Sequence, residues 1–130
     1  MIVDTSAFLA VLGKDDGNHA RARTAWGDLL EQRTPLVTSS YVLAETLAIL
    51  QHRMGLDAVR VFHNDIHPIL TIEWVADGLH EKGIGGVLVA RRRDLSLVDC
   101  VSFDVMRQRG IRKVFAFDAH FEEQGFDVVP

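Results

Sequence analysis

The sequence predicts an α/β fold, a three-layer α/β/α arrangement around a central five-stranded, mostly parallel sheet, and three observations predict it. Short apolar, β-branched runs alternate with longer segments of helical periodicity from end to end, the pattern of a sheet covered on both faces by right-handed crossover helices. Two of those runs, Ile2-Val3-Asp4 and Val114-Phe115-Ala116-Phe117-Asp118, stop on a carboxylate. Ligands of open α/β sheets bind beyond the carboxyl ends of the strands, so an acid placed there faces the expected site. Finally, 130 residues suit one domain, residues 1–130, with enough buried surface for a real core.

Composition narrows the function. With 14 basic against 18 acidic residues and a net charge of -4, the whole surface does not coat nucleic acid, although a local basic patch is compatible with that balance. The single Cys100 excludes a disulfide framework and a multi-thiolate metal site. No apolar run is long enough to span a bilayer and no leader precedes the first strand, so a soluble, cytoplasmic protein is expected, with no membrane partner.

The elements follow in order. Ile2-Val3 is a buried strand ending at Asp4; Ser6, or Asp4 itself, caps the apolar turn Ala7 to Leu12, which Gly13 stops. After the polar stretch Lys14 to Asn18, Ala22, Ala25, Trp26, Leu29 and Leu30 recur at three- and four-residue spacing in a helix reaching Arg33, with Trp26 on the core stripe. Leu36-Val37-Thr38 is the second strand, and Ser39 or Ser40 caps the helix Tyr41 to Met54, which ends at Gly55. Asp57 caps a further helix through Phe62, and Pro68 to Trp74 has the length and β-branching of a third strand. A helix over Ala76 to Ala90 is weakened by Gly83, Gly85 and Gly86 and closed by Arg91-Arg92-Arg93, cations that complement a helix C-terminus. Ser96-Leu97-Val98-Asp99 fits a capping box before the helix Cys100 to Arg109. The fourth strand runs to Asp118, a brief helix spans Ala119 to Gln124, and Phe126 to Val129 is the last strand.

Four carboxylates stand out. If the first strand is central, the first and fourth strands are neighbours at the point where the winding reverses, which brings Asp4 and Asp118 to one crevice. Glu45 is the only charged residue between Tyr41 and Leu50, with no cation one turn away to pair with it, and Asp99 can present a free oxygen beyond its helix end. The bland alternatives are a solvated Glu45 and purely capping roles for Asp4 and Asp99. Four acids in one crevice repel one another unless a divalent cation joins them, and oxygen-only ligands suit Mg²⁺ or Mn²⁺ rather than zinc. Such an ion lowers the pKa of water bound to it and offsets phosphoryl charge, so a phosphodiester can be hydrolysed with no side-chain nucleophile. Neither Cys100 nor any of the six histidines builds a nucleophilic triad. Arg91, Arg92, Arg93, Arg112 and Lys113 hold the concentrated positive charge and, with His120, are candidate contacts for substrate phosphate, an RNA backbone if the resemblance given next holds.

At these residues the chain resembles the PIN-domain family, above all the VapC-type toxins of type II toxin–antitoxin pairs. The matching pieces are Ile2-Val3-Asp4-Thr5-Ser6, the Ser39 to Glu45 segment, Leu95 to Asp99, and Phe117-Asp118-Ala119-His120-Phe121 followed by Gly125-Phe126, in the family's order over nearly the whole chain. The resemblance implies a Mg²⁺- or Mn²⁺-dependent endoribonuclease. It implies Asp4, Glu45, Asp99 and Asp118 as the acidic site and Ser6 as a supporting polar residue. It further implies a homodimer and a cognate antitoxin that blocks the site. A PIN-like module that binds RNA or a partner without cutting is the alternative. A phospho-acceptor receiver domain is excluded, because the ends of the third and fifth strands hold Glu73-Trp74 and Val129-Pro130 where an Asp and a Lys are required.

Overall fold

The computed structural model describes all residues 1–130. Its centre is a five-stranded sheet of β1 (Ile2–Val3), β2 (Leu36–Ser39), β3 (Leu70–Glu73), β4 (Lys113–Phe115) and β5 (Asp127–Val129), in the order β3-β2-β1-β4-β5. Every pairing is parallel, with Ile2 beside both Val37 and Val114, and Val3 beside Phe115. The first strand is therefore central, which meets the condition on which the sequence reading makes β1 and β4 neighbours, and the winding reverses between its two neighbours.

Alternation along the strands divides the core. Ile2, Val37 and Val114 face one way, packing with Val101, Val105, Met106 and Phe121, whereas Val3, Leu36 and Phe115 face the other, packing with Phe8, Leu29, Leu50 and Phe62. The second face is covered by α1 (Thr5–Leu12), α2 (His19–Glu31), α3 (Ser40–Met54) and α4 (Leu56–Val61); α5 (Asp77–Ala90), α6 (Leu97–Arg109) and the single turn α7 (His120–Glu123) cover the first. Trp26 joins the core as expected, 6.4 Å from both Phe8 and Phe115.

Several boundaries differ from the sequence reading, each for a local reason. The cap of α1 is Asp4, not Ser6, which lies inside the helix. Asp57 does not cap α4: Gly55 precedes that helix, and Asp57 sits in its first turn paired with Arg60 at 2.8 Å. The chain from Phe62 to Ile69 stays helical through one π turn and one 3₁₀ turn, so β3 begins only at Leu70 and Trp74 stands exposed beyond its end. The fourth strand ends at Phe115, which leaves Asp118 on the loop after it rather than on the strand.

The glycines of α5 do not interrupt it. A Cβ on Gly83 would lie 2.7 Å from Val101 Cγ2, and one on Gly86 would lie 3.5 Å from Cys100. They are where α5 crosses α6 closely, so the helix is supported by packing rather than by propensity. In a parallel sheet all carboxyl ends lie on one edge, and α1 and α3, which follow β1 and β2, start there. The first turn of α6 reaches the same edge through a capping box, with Ser96 Oγ accepting from the Asp99 N–H and Asp99 Oδ2 accepting from the Ser96 N–H, both at 3.1 Å.

Candidate metal centre

Asp4 is buried, and its backbone N–H extends the β1–β4 pairing by donating to Phe115 O at 3.0 Å. Its Oδ2 accepts from the Ser6 N–H at 3.1 Å and from Ser6 Oγ at 2.6 Å. Ser6 Oγ in turn accepts from the Phe117 N–H at 3.0 Å. One hydroxyl thus ties the end of β1 to the loop that carries Asp118. On that loop Asp118 Oδ1 accepts from the His120 N–H at 3.0 Å, a turn that directs the imidazole back over the acids.

His120 Nδ1 lies 3.2 Å from Asp99 Oδ2 and 3.9 Å from Asp118 Oδ1. Asp99, Asp118 and His120 can each present one ligand atom within 4.8 Å of the others. Asp4 stands beside this group, and its pKa is pushed up to about 7, first by desolvation and then by the charges of Asp118 and Asp99; the Ser6 hydrogen bonds oppose the shift. A buried carboxyl shifted by desolvation and by neighbouring charges marks a candidate functional site.

The division of labour among the oxygens tests whether a divalent ion fits. In Asp4 and Asp99 all hydrogen bonds fall on Oδ2, and in Asp118 on Oδ1, so each acid has one oxygen held by the protein and one without a partner. Asp99 and Asp118, with Asp4 beside them, each keep a spare hard oxygen donor, a set that fits a hard divalent cation.

The structure brings Asp4, Asp99 and Asp118 together with Ser6 and His120. Glu45 is half-buried and makes no hydrogen bond or ion pair with any residue; it adjoins Thr46, whose Oγ1 donates to Thr5 Oγ1 at 3.3 Å next to Asp4. No hydrogen bond or ion pair joins it to the group. Arg92, read from sequence as an RNA contact, is engaged instead: Nε and NH2 bind Asp94 at 3.1 and 2.9 Å, and NH1 binds Glu123 at 2.7 Å. Arg91 caps α5 in the left-handed region at φ 54°, and Arg91 and Arg93 are exposed. Arg112 and Lys113 sit at the start of β4, the sheet edge away from the acids, and Arg112 faces Asp127 at 3.9 Å. The sequence reading names His120 only as a substrate contact; the structure sets its ring 3.2 Å from Asp99 and 3.6 Å from Asp94, and the Asp118-x-His120 spacing was the available signal.

A parallel crossover sheet with acids at its carboxyl edge defines the class, an α/β protein with an acidic centre, and comparison with known proteins narrows it. The PIN-domain family pattern matches residues 1–127. The chain belongs to the PIN-domain family, as a nuclease of the VapC type. It is 34% identical over 128 residues to the 23S rRNA-specific endonuclease VapC20 of Mycobacterium tuberculosis, from strains CDC 1551 / Oshkosh and H37Rv alike, covering 97% of this chain and 95% of the relative. The crystal structure of M. tuberculosis VapC20, titled a sarcin-ricin loop cleaving toxin, superposes with a TM-score of 0.87 at 31% identity over 99% of this chain and 98% of that one.

Proposed function

We propose that this chain is a divalent-metal-dependent endoribonuclease that cleaves 23S ribosomal RNA, acting in the cytoplasm as the toxin of a toxin–antitoxin pair. The observation that carries the reading is the set of three carboxylates from three separate elements, each with one oxygen fixed and one free. The 34% identity to a 23S rRNA-specific endonuclease supports the substrate. Asp4, Asp99 and Asp118 would hold a Mg²⁺ or Mn²⁺ ion, with Glu45 flanking and Ser6 supporting. When bound, that ion supplies Lewis-acid polarisation of the phosphate and acidifies the attacking water.

The chain's own residues do the rest. Ser6 fixes the Asp4 oxygen and the Phe117 backbone together, so Asp4 and Asp118 keep their separation while substrate enters. The α6 capping box holds Asp99 against rotation. His120, with its side chain 20% exposed, lies over the acids and would set an imidazole beside an incoming phosphate. Arg91 and Arg93 offer the exposed positive charge that an acidic protein needs to hold an RNA backbone. A homodimer and a cognate antitoxin that occludes the crevice complete the proposal, as the family resemblance implies.

The test is cleavage of an end-labelled RNA carrying the sarcin-ricin loop, beside a scrambled loop, in Mg²⁺, Mn²⁺ and EDTA. One cut in the native loop, present with metal and absent in EDTA and in Asp118→Asn, is expected. Equal cutting in EDTA would overturn the metal reading, and equal cutting of both loops would overturn the target. Addition of the antitoxin should abolish the cut.

A further inference from the structure

The engagement of Arg92 leads beyond the acidic set. Its guanidinium binds two carboxylates on different elements: Asp94, on the loop between α5 and α6, by two N–H donors at 3.1 and 2.9 Å, and Glu123, in α7, by a third at 2.7 Å. Exposed ion pairs contribute little to stability, and the Arg92 side chain is 39% exposed, so this three-charge arrangement is explained by geometry rather than by energy. The geometry leads to His120. Asp94 Oδ2 lies 3.6 Å from His120 Nε2, while Nδ1 of the same ring lies 3.2 Å from Asp99 Oδ2. Arg92 therefore braces the residue on the outer side of the imidazole and, through Glu123, the helical turn on which the imidazole rides.

Building on the nuclease reading above, we propose that Arg92 and Asp94 are positioning residues of the active centre, which together hold His120 over the Asp99–Asp118 pair. A histidine that ligates a metal is oriented by the group its other nitrogen faces, and loss of that group costs 10- to 100-fold in metal affinity or activity; His120 lies 3.2 Å from Asp99, one of the ligands proposed above, so disturbing the imidazole reaches the metal through that carboxylate. Arg92 suits the task because its planar fork engages two carboxylates at once, which a lysine ammonium does not do with fixed geometry. The charge that looked like an RNA contact in the sequence serves the site from behind.

The test compares Arg92→Gln, Arg92→Lys and Asp94→Asn with wild type in three measurements: cleavage kinetics, the salt dependence of RNA binding, and calorimetric titration with Mn²⁺ alone. Positioning requires that all three variants lose about tenfold in kcat with KM unchanged, bind Mn²⁺ about tenfold more weakly, and keep the wild-type salt slope. Arg92→Lys should fail to rescue. A raised KM with a flattened salt slope in Arg92→Gln, restored in Arg92→Lys, would make Arg92 a phosphate contact and overturn the proposal; so would wild-type kcat in Asp94→Asn. Asp94→Asn leaves the Arg92–Glu123 pair in place, so the proposal stays testable if the arginine variants do not fold. If wild type binds Mn²⁺ but cuts no RNA, the nuclease reading fails by itself and the Mn²⁺ titrations decide the positioning: weaker binding supports it, unchanged binding overturns it.

Discussion

Asp4 carries two tasks that a single substitution separates. Asparagine is as good an N-cap as aspartate and can keep the Ser6 hydrogen bonds, but it has no charge. Desolvation and the neighbouring acids raise the folded-state pKa of Asp4 from 3.8 to about 7, so between those values folding takes up a proton. The sign follows: the destabilisation is absent below the unfolded value, grows as pH rises through the interval, and is complete above about 7. In EDTA the wild-type melting temperature should therefore rise as pH is lowered from about 8 to about 5. Asp4→Asn should melt higher than wild type at pH of about 8, change less with pH, and cut RNA orders of magnitude more slowly. A flat wild-type profile together with a less stable Asn variant would show that Asp4 is only a cap. Ser6→Ala removes one of the two donors to Asp4 Oδ2, leaving the Ser6 N–H, and the acceptor of the Phe117 N–H; a loss of about 1–3 kcal/mol in urea unfolding, with slower cleavage, is expected.

Between elements, the crossing of α5 and α6 sets where the Ser96–Asp99 turn stands. Two glycines of one helix give opposite predictions. Gly83→Ala places a methyl 2.7 Å from Val101 and pushes the helices apart, so overpacking of about 1–3 kcal/mol outweighs the gain in helix propensity. Gly85 has nothing within 4 Å of an added Cβ, so Gly85→Ala should stabilise by up to about 1 kcal/mol. Urea unfolding of the two variants checks both signs. Only the Gly83 change should also impair cleavage, since it acts on the helix pair that presents Asp99.

At the scale of the molecule, the acidic centre is held against its own repulsion by the sheet, and a ligand of the folded state alone should relieve it. Saturation with Mn²⁺ at about a hundred times its dissociation constant stabilises by about 2.7 kcal/mol. The wild-type melting temperature should rise with Mn²⁺ and fall back with EDTA, and the rise should be smaller in Asp99→Asn and Asp118→Asn. Equal shifts in all three proteins would show that the ion binds elsewhere. Exposed charge gives a second test at this scale: replacing Arg91 and Arg93 with Gln should flatten the salt dependence of RNA binding, whereas Arg92→Gln should not.

Read alone, the sequence determined the alternation of strands and helices, the Ser96–Asp99 capping box and which residues were candidates for the crevice; the central place of Ile2-Val3 entered only as a condition. These were legible because burial writes itself locally, as a period of two in strands and 3.6 in helices, and because caps are made by neighbours in the chain. Tertiary structure alone decided what no local period encodes. The Asp99–His120 contact spans 21 residues and the Arg92–Glu123 pair spans 31, and both depend on how α6 and α7 dock on the sheet. The same holds for Gly83, which weakens a helix in isolation and serves it where another helix passes close. An arginine is a solvated cation in a sequence; only the fold shows that Asp94 and Glu123 already occupy its donors, because pairing energy depends on separation in space and not along the chain.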